Sequence, residues 1–232
     1  MRFVVYIFLA FVLSACSSLQ LKTSAPNSYN NGVAIFHDTK QNSKIQFEIA
    51  QEKLGGLSIS PLLIYIMVEN LNEKTIDFDI ANINAKMNEK PIKPLTYKEV
   101  KNADLSLIES LSEYGIEVKT PPLRDLDSIA FSPFFSPGVY YPFFPFYPYG
   151  GFGFFDYSFA RSSAYANAVA TAREREAKRV FIMQYLRRNT IAKNEAKGGF
   201  VLFPYHVLES GDFILQVKVG DDEYILRLKL ES

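Results

Sequence analysis

The chain has 232 residues, enough for one domain of ordinary size with a real core. Its 25 basic residues balance 25 acidic ones, so no global charge favours nucleic acid. Cys16 is the one cysteine, which excludes a disulfide framework.

At the N-terminus, Met1 and Arg2 precede an unbroken apolar run over residues 3–13. A run of about 11 residues suits the apolar region of a signal peptide and falls short of the ~20 needed to span a bilayer. Leu13, Ser14, Ala15 and Cys16 close it, and this tetrad resembles the lipobox of bacterial lipoprotein signal peptides. The resemblance implies that residues 1–15 are removed and that Cys16 carries lipid. Ser17 follows the cysteine where an Asp is absent, which in the lipoproteins this resembles implies export to the outer membrane. The expected location is therefore the cell envelope, with the membrane as a partner through the N-terminal lipid. The plainer alternatives are an uncleaved anchor or a buried N-terminal strand.

Residues 16–31 are rich in Ser, Asn, Thr, Lys and Pro and read as a flexible tether. A single domain over residues 32–232 is expected to follow. Strand candidates begin at residues 32–38 and 44–51, where Ile45, Phe47 and Ile49 alternate with polar neighbours. Residues 62–71 are nearly continuously apolar and predict a central strand. Ile76, Phe78 and Ile80 alternate with Asp77 and Asp79, and residues 83–87 extend the sheet until Pro91 and Pro94 interrupt it.

Thr96 and Glu99 have capping-box spacing and open a predicted helix. Val100, Ala103, Leu107, Leu111 and Tyr114 recur at helical spacing, and Gly115 can end it. A second, long helix is predicted over about residues 158–186, rich in Ala, with Ala166, Val169, Ala170, Ala177, Val180 and Phe181 on one stripe. Arg173, Arg175, Lys178, Arg179, Arg187 and Arg188 make a basic zone, which most simply is a solvated face. The late strands span residues 187–192, 200–205, 213–219 and 224–230. Gly220, Asp221 and Asp222 turn the last hairpin.

Short antiparallel strands at this spacing predict a mainly β, two-sheet sandwich. The order of elements also resembles Ig-like domains of bacterial envelope lipoproteins. The resemblance rests on Val68, Glu69 and Asn70 at the end of the central strand. It rests also on Asn189, Thr190 and Ile191, then Lys193, Asn194 and Glu195, then the run from Gly199 to Phe203. It covers residues 32–95 and 187–230 and implies an Ig-like antiparallel sandwich without catalytic residues. An insertion at about residues 96–186, with the two helices and an aromatic, Pro- and Gly-rich loop, departs from a plain sandwich.

That loop carries the chain's individuality. Phe134, Phe135, Tyr140, Tyr141, Phe143, Phe144, Phe146, Tyr147, Tyr149, Phe152, Phe154 and Phe155 are interrupted by prolines and glycines. The prolines forbid a continuous helix or central strand. Each ring buried is worth about 1.5–3 kcal/mol, so the segment should find a surface. The candidates are the sandwich itself, another envelope protein, or the lipid interface. Stacking on single-stranded nucleic acid would need interleaved basic residues, and the segment has none.

A search for chemistry returns little. His37 and His206 are far apart in sequence, and no carboxylate or cysteine cluster has metal-ligand spacing. Asp77 and Asp79 share a strand face, as two general acids would, but also as solvent-facing residues do. Asp221, Asp222 and Glu223 lack the calcium-loop pattern. No nucleophile elbow or phosphate-binding loop is present. The expectation is a non-enzymatic, lipid-anchored envelope protein with a structural or docking role, a protein partner and no cofactor or metal. The alternatives are a carrier or sensor of an apolar small molecule or lipid, or a cell-surface adhesin.

Overall fold

The computed structural model describes residues 18–23, 25–56, 59–119 and 157–232, with side chains in the last stretch from residue 169 onward. The chain divides into two units, Met1–Val118 with Ala177–Ser232, and Lys119–Glu176. In the second, the described part is the first portion of a long helix.

The first unit is an antiparallel β-sandwich. Its strands are β1 (Ser18–Thr23), β2 (Ser28–Asn30), β3 (Val33–Thr39), β4 (Ser43–Ile49), β5 (Lys53–Gly55), β6 (Leu62–Asn70), β7 (Ile76–Phe78), β8 (Ile83–Met87) and β9 (Lys90–Ile92). After the insertion come β10 (Asn189–Ile191), β11 (Ala196–Phe203), β12 (Gly211–Val219) and β13 (Asp222–Glu231). One sheet has the order β5-β1-β13-β12-β8-β9 and the other β11-β6-β4-β3-β2, with β7 and β10 forming a separate pair. The mainly β sandwich expected from alternation is present.

Alternation explains the core. Ile45, Phe47 and Ile49 of β4 and Ile64, Ile66 and Val68 of β6 face Leu215 and Val217 of β12 and Leu226, Leu228 and Leu230 of β13 in one cluster. The continuous apolar character of β6 has a separate cause. Leu63 and Tyr65 point to the other side of the sheet, where a second cluster holds Phe200, Leu202, Val100, Leu111 and Phe181. A strand covered on both faces loses its polar alternation.

That second cluster is roofed by helices. The capping box forms as expected: the Glu99 amide donates to Thr96 Oγ1 at 3.3 Å and the Thr96 amide to Glu99 Oε2 at 2.7 Å. The predicted single helix is two helices, α1 (Tyr97–Asn102) and α2 (Ile108–Glu113). Ala103 is extended, at φ −70° and ψ 148°, and its carbonyl accepts from Lys178 Nζ at 2.6 Å. The break lets both Val100 and Leu107 bury fully. The long helix α3 is Tyr157–Gln184. On its predicted apolar stripe Ala177 and Phe181 are buried, whereas Ala170 is exposed.

Four strands fall where none is expected: β1, β2, β5 and β9. Residues 18–23, read as part of a tether, pair with both β13 and β5. Leu19 and Leu21 alternate with Ser18, Gln20 and Lys22, and both leucines enter the sandwich core. Asn31, read as the end of the tether, and Gly32, read as the start of a strand, join β2 to β3 with φ of 49° and 87°. Asn-Gly favours this hairpin turn because both central residues need positive φ. Pro91 lies in β9, an edge strand, where a missing amide hydrogen breaks no ladder.

Candidate functional site

The sequence-derived sites, Cys16 and the aromatic residues from Phe134 to Phe155, lie outside the described residues. What is described are the places where each joins the sandwich. β1 begins two residues after Cys16, with Ser18 opposite Gly55 and Gln20 opposite Glu231. β1 thus lies between two strands rather than at an edge. Gly55 has φ +79°, and a Cβ there would meet the Tyr205 ring at 2.4 Å, so only glycine lets Tyr205 lie on the β5 backbone.

Gly55 and Ser60 form a β-bridge. The Gly55 amide donates to the Ser60 carbonyl at 3.0 Å and the Ser60 amide back to Gly55 at 3.3 Å. Ile59, next to Ser60, has φ 49° and is 64% exposed. A β-branched residue in the left-handed region is strained.

A group of carboxylates lies near Ser60. Ser60 Oγ donates to Glu109 Oε2 at 3.3 Å. Burial, with the nearby charges of Glu109 and Glu52, pushes the Glu113 carboxyl up to about 7. Glu113 Oε2 is buried without a hydrogen-bond partner. Behind the group, buried Gln51 donates to the Pro61 carbonyl at 2.8 Å and accepts from the Leu63 amide at 2.7 Å. Tyr114 donates to the carbonyls of Glu48 and Leu63, at 3.0 and 2.8 Å, and burial raises its pKa strongly. These contacts fix α2 to the sheet.

Both ends of residues 119–176 leave from one cluster. Val118 and Ala177 are 7% and 0% exposed and belong to the core under the helices.

The remaining candidates resolve into structural roles. Asp77 accepts from Arg188 at 2.6 Å and from Thr190 at 2.7 Å, which holds its carboxyl below the usual range. Asp79 instead caps a 3-10 turn, accepting from the Ala81 amide. Arg187 stacks over the Tyr97 ring, 4.6 Å from its centroid. The predicted basic zone is thus partly spent within the fold, through Lys178, Arg187 and Arg188. His37 borders a cleft with Asn27 and Phe36, and His206 another with Leu95 and Thr96. Among the described residues, no three His, Cys, Asp or Glu side chains are grouped to hold a metal ion. Also among the described residues, no helix is long and apolar enough to cross a membrane.

One polar set escaped sequence reasoning. Asp222, read as a turn residue, is buried and accepts from Ser43 Oγ at 2.7 Å and from the Asn42 amide at 3.2 Å. Tyr224 donates to the Ser43 carbonyl at 2.7 Å. This set ties β4 of one sheet to β13 of the other. A polar residue beside a turn gives no signal of such a role.

No protein-family model, no curated protein and no solved structure matches this chain. The fold and its attachment points therefore carry the functional argument alone.

Proposed function

We propose that the chain is a lipid-anchored, non-enzymatic protein of the bacterial cell envelope, exported to the outer membrane, that docks another envelope protein. Cys16 is its lipidated residue. The membrane is its first partner, through that lipid, and the aromatic residues from Phe134 to Phe155 supply the second contact. The observation that supports this reading is that the described sandwich begins close after Cys16 and is interrupted by the segment that holds the aromatic residues. β1 starts two residues beyond the lipobox cysteine, and the aromatic segment is inserted between two core residues, Val118 and Ala177. On this reading the sandwich is the scaffold that carries a lipid anchor and an apolar docking segment.

The mechanism is docking without a covalent step. Lipid confines the chain to the membrane, and burial of Phe and Tyr rings against the partner supplies affinity. The test is crosslinked recovery of partners from native envelopes. Wild type is compared with a chain lacking residues 131–157, both shown to be folded and acylated. A defined protein recovered with wild type and lost with the deletion is the expected result. The same proteins recovered with both would refute the docking role.

A further inference from the structure

We infer that Asn31 is a site of spontaneous deamidation, and that its conversion to isoaspartate loosens the edge strand β2. The inference depends neither on lipidation nor on a docking partner.

Reactivity at an asparagine is set by the residue that follows it. The backbone nitrogen of that residue attacks the side-chain carbonyl, and only glycine brings no Cβ to crowd the approach. Asn31 alone among the asparagines of the chain precedes a glycine. Both residues are exposed, and beyond the chain neighbours no atom lies within 4 Å of where a Cβ on Gly32 would stand. Asn88 makes the contrast. Its φ is 48° against 49° for Asn31, but its carboxamide is held at both ends. Nδ2 donates to the Ser210 carbonyl at 2.9 Å, and Oδ1 accepts from the Asp212 amide at 3.0 Å. Glu89 follows it. Among the described residues, none holds the Asn31 carboxamide in this way.

The chemistry needs only water. The Gly32 nitrogen yields its proton to solvent and bonds to Asn31 Cγ. The Cγ–Nδ2 bond breaks, and the nitrogen takes up a proton and leaves as ammonia. Water then opens the succinimide at either carbonyl, giving aspartate or isoaspartate. A closed hairpin slows the ring closure. However, β2 is three exposed residues at the edge of its sheet, and such elements open locally at little cost.

The product does not fit the turn. Isoaspartate routes the backbone through the side-chain methylene, and a two-residue turn with positive φ at both positions has no place for the added atom. Its new carboxylate borders a cleft of about 280 Å³ that Glu48 also lines, so like charges repel there. The loosening stops at Asn27. Its amide donates to the Ile35 carbonyl at 2.9 Å, and its Oδ1 accepts from the His37 amide at 2.8 Å.

The test incubates the purified full chain for weeks at neutral pH, followed by peptide mapping with isoaspartate-specific methylation. Asn31 is expected to convert several-fold faster than Asn88 in the same molecule. Hydrogen exchange over residues 28–35 should be several-fold faster in the converted fraction. Asn31→Gly keeps a turn-forming pair and cannot convert, so its exchange should stay constant over the same period. Conversion at Asn31 no faster than at Asn88 overturns the assignment. Conversion that leaves exchange unchanged overturns the loosening of β2.

Discussion

Ser18 stands opposite Gly55 in the β1–β5 ladder, so the chain enters its fold two residues after Cys16. This pairing turns a presumed tether into structure. It makes the position of Ser18 a property of the sandwich, fixed by the ladders that β1 makes on both sides.

The role of β1 is open to direct test. Leu21 is 8% exposed and lies in the core between the sheets. Replacing it by Ala should cost about 2–5 kcal/mol, the usual range for a buried leucine. Urea unfolding of the mature chain measures this. A silent substitution would mean that residues 18–23 are the tether their composition suggests.

The inter-sheet polar set gives a second prediction. Tyr224→Phe removes a donor to the Ser43 carbonyl and a partner of the Ser43 hydroxyl. The expected loss is about 1–3 kcal/mol, because buried acceptors are left unsatisfied. Asp222→Ala should act in the same direction by stranding Ser43 Oγ and the Asn42 amide. Combined, the two changes should cost less than their sum, since they share Ser43. Additive losses in a double-mutant cycle would show the groups to be independent.

Glu113 sets a pH dependence. Its pKa in the fold is about 7, raised from an ordinary 4.5 chiefly by burial. The folded state therefore binds a proton that the unfolded state releases between those values. Stability from this group is full below about 4.5 and is lost as pH rises through 7. Glu113→Gln should remove that loss, leaving the variant more stable than wild type at pH 8 and closer to it at pH 5. Thermal unfolding at the two values decides. Equal differences at both would mean that the carboxyl ionises normally.

Sequence reasoning reached the parts of the fold that depend on local pattern. β12 and β13 were legible because apolar and charged residues alternate over their length. The Thr96–Glu99 box was legible because its chemistry lies within four residues. What escaped depended on distant partners. β1 has two leucines among polar residues, too few to outweigh a tether-like composition until β13 and β5 flank it. The break at Ala103 is set by the packing of Val100 and Leu107 and by Lys178, seventy-five residues away. Asn31 and Gly32 did carry a hairpin signal, but it was submerged in the surrounding Ser, Asn and Pro. Asp222 looks like any turn aspartate until Ser43 comes across from the other sheet.

The central claim is the lipid anchor, and intact-mass analysis of the protein extracted from bacterial membranes tests it most directly. The expected species begins at Cys16 and carries diacylglycerol on that residue, and Cys16→Ala abolishes both cleavage and membrane retention. A chain that retains residues 1–15, or one that begins elsewhere and bears no lipid, would contradict the account.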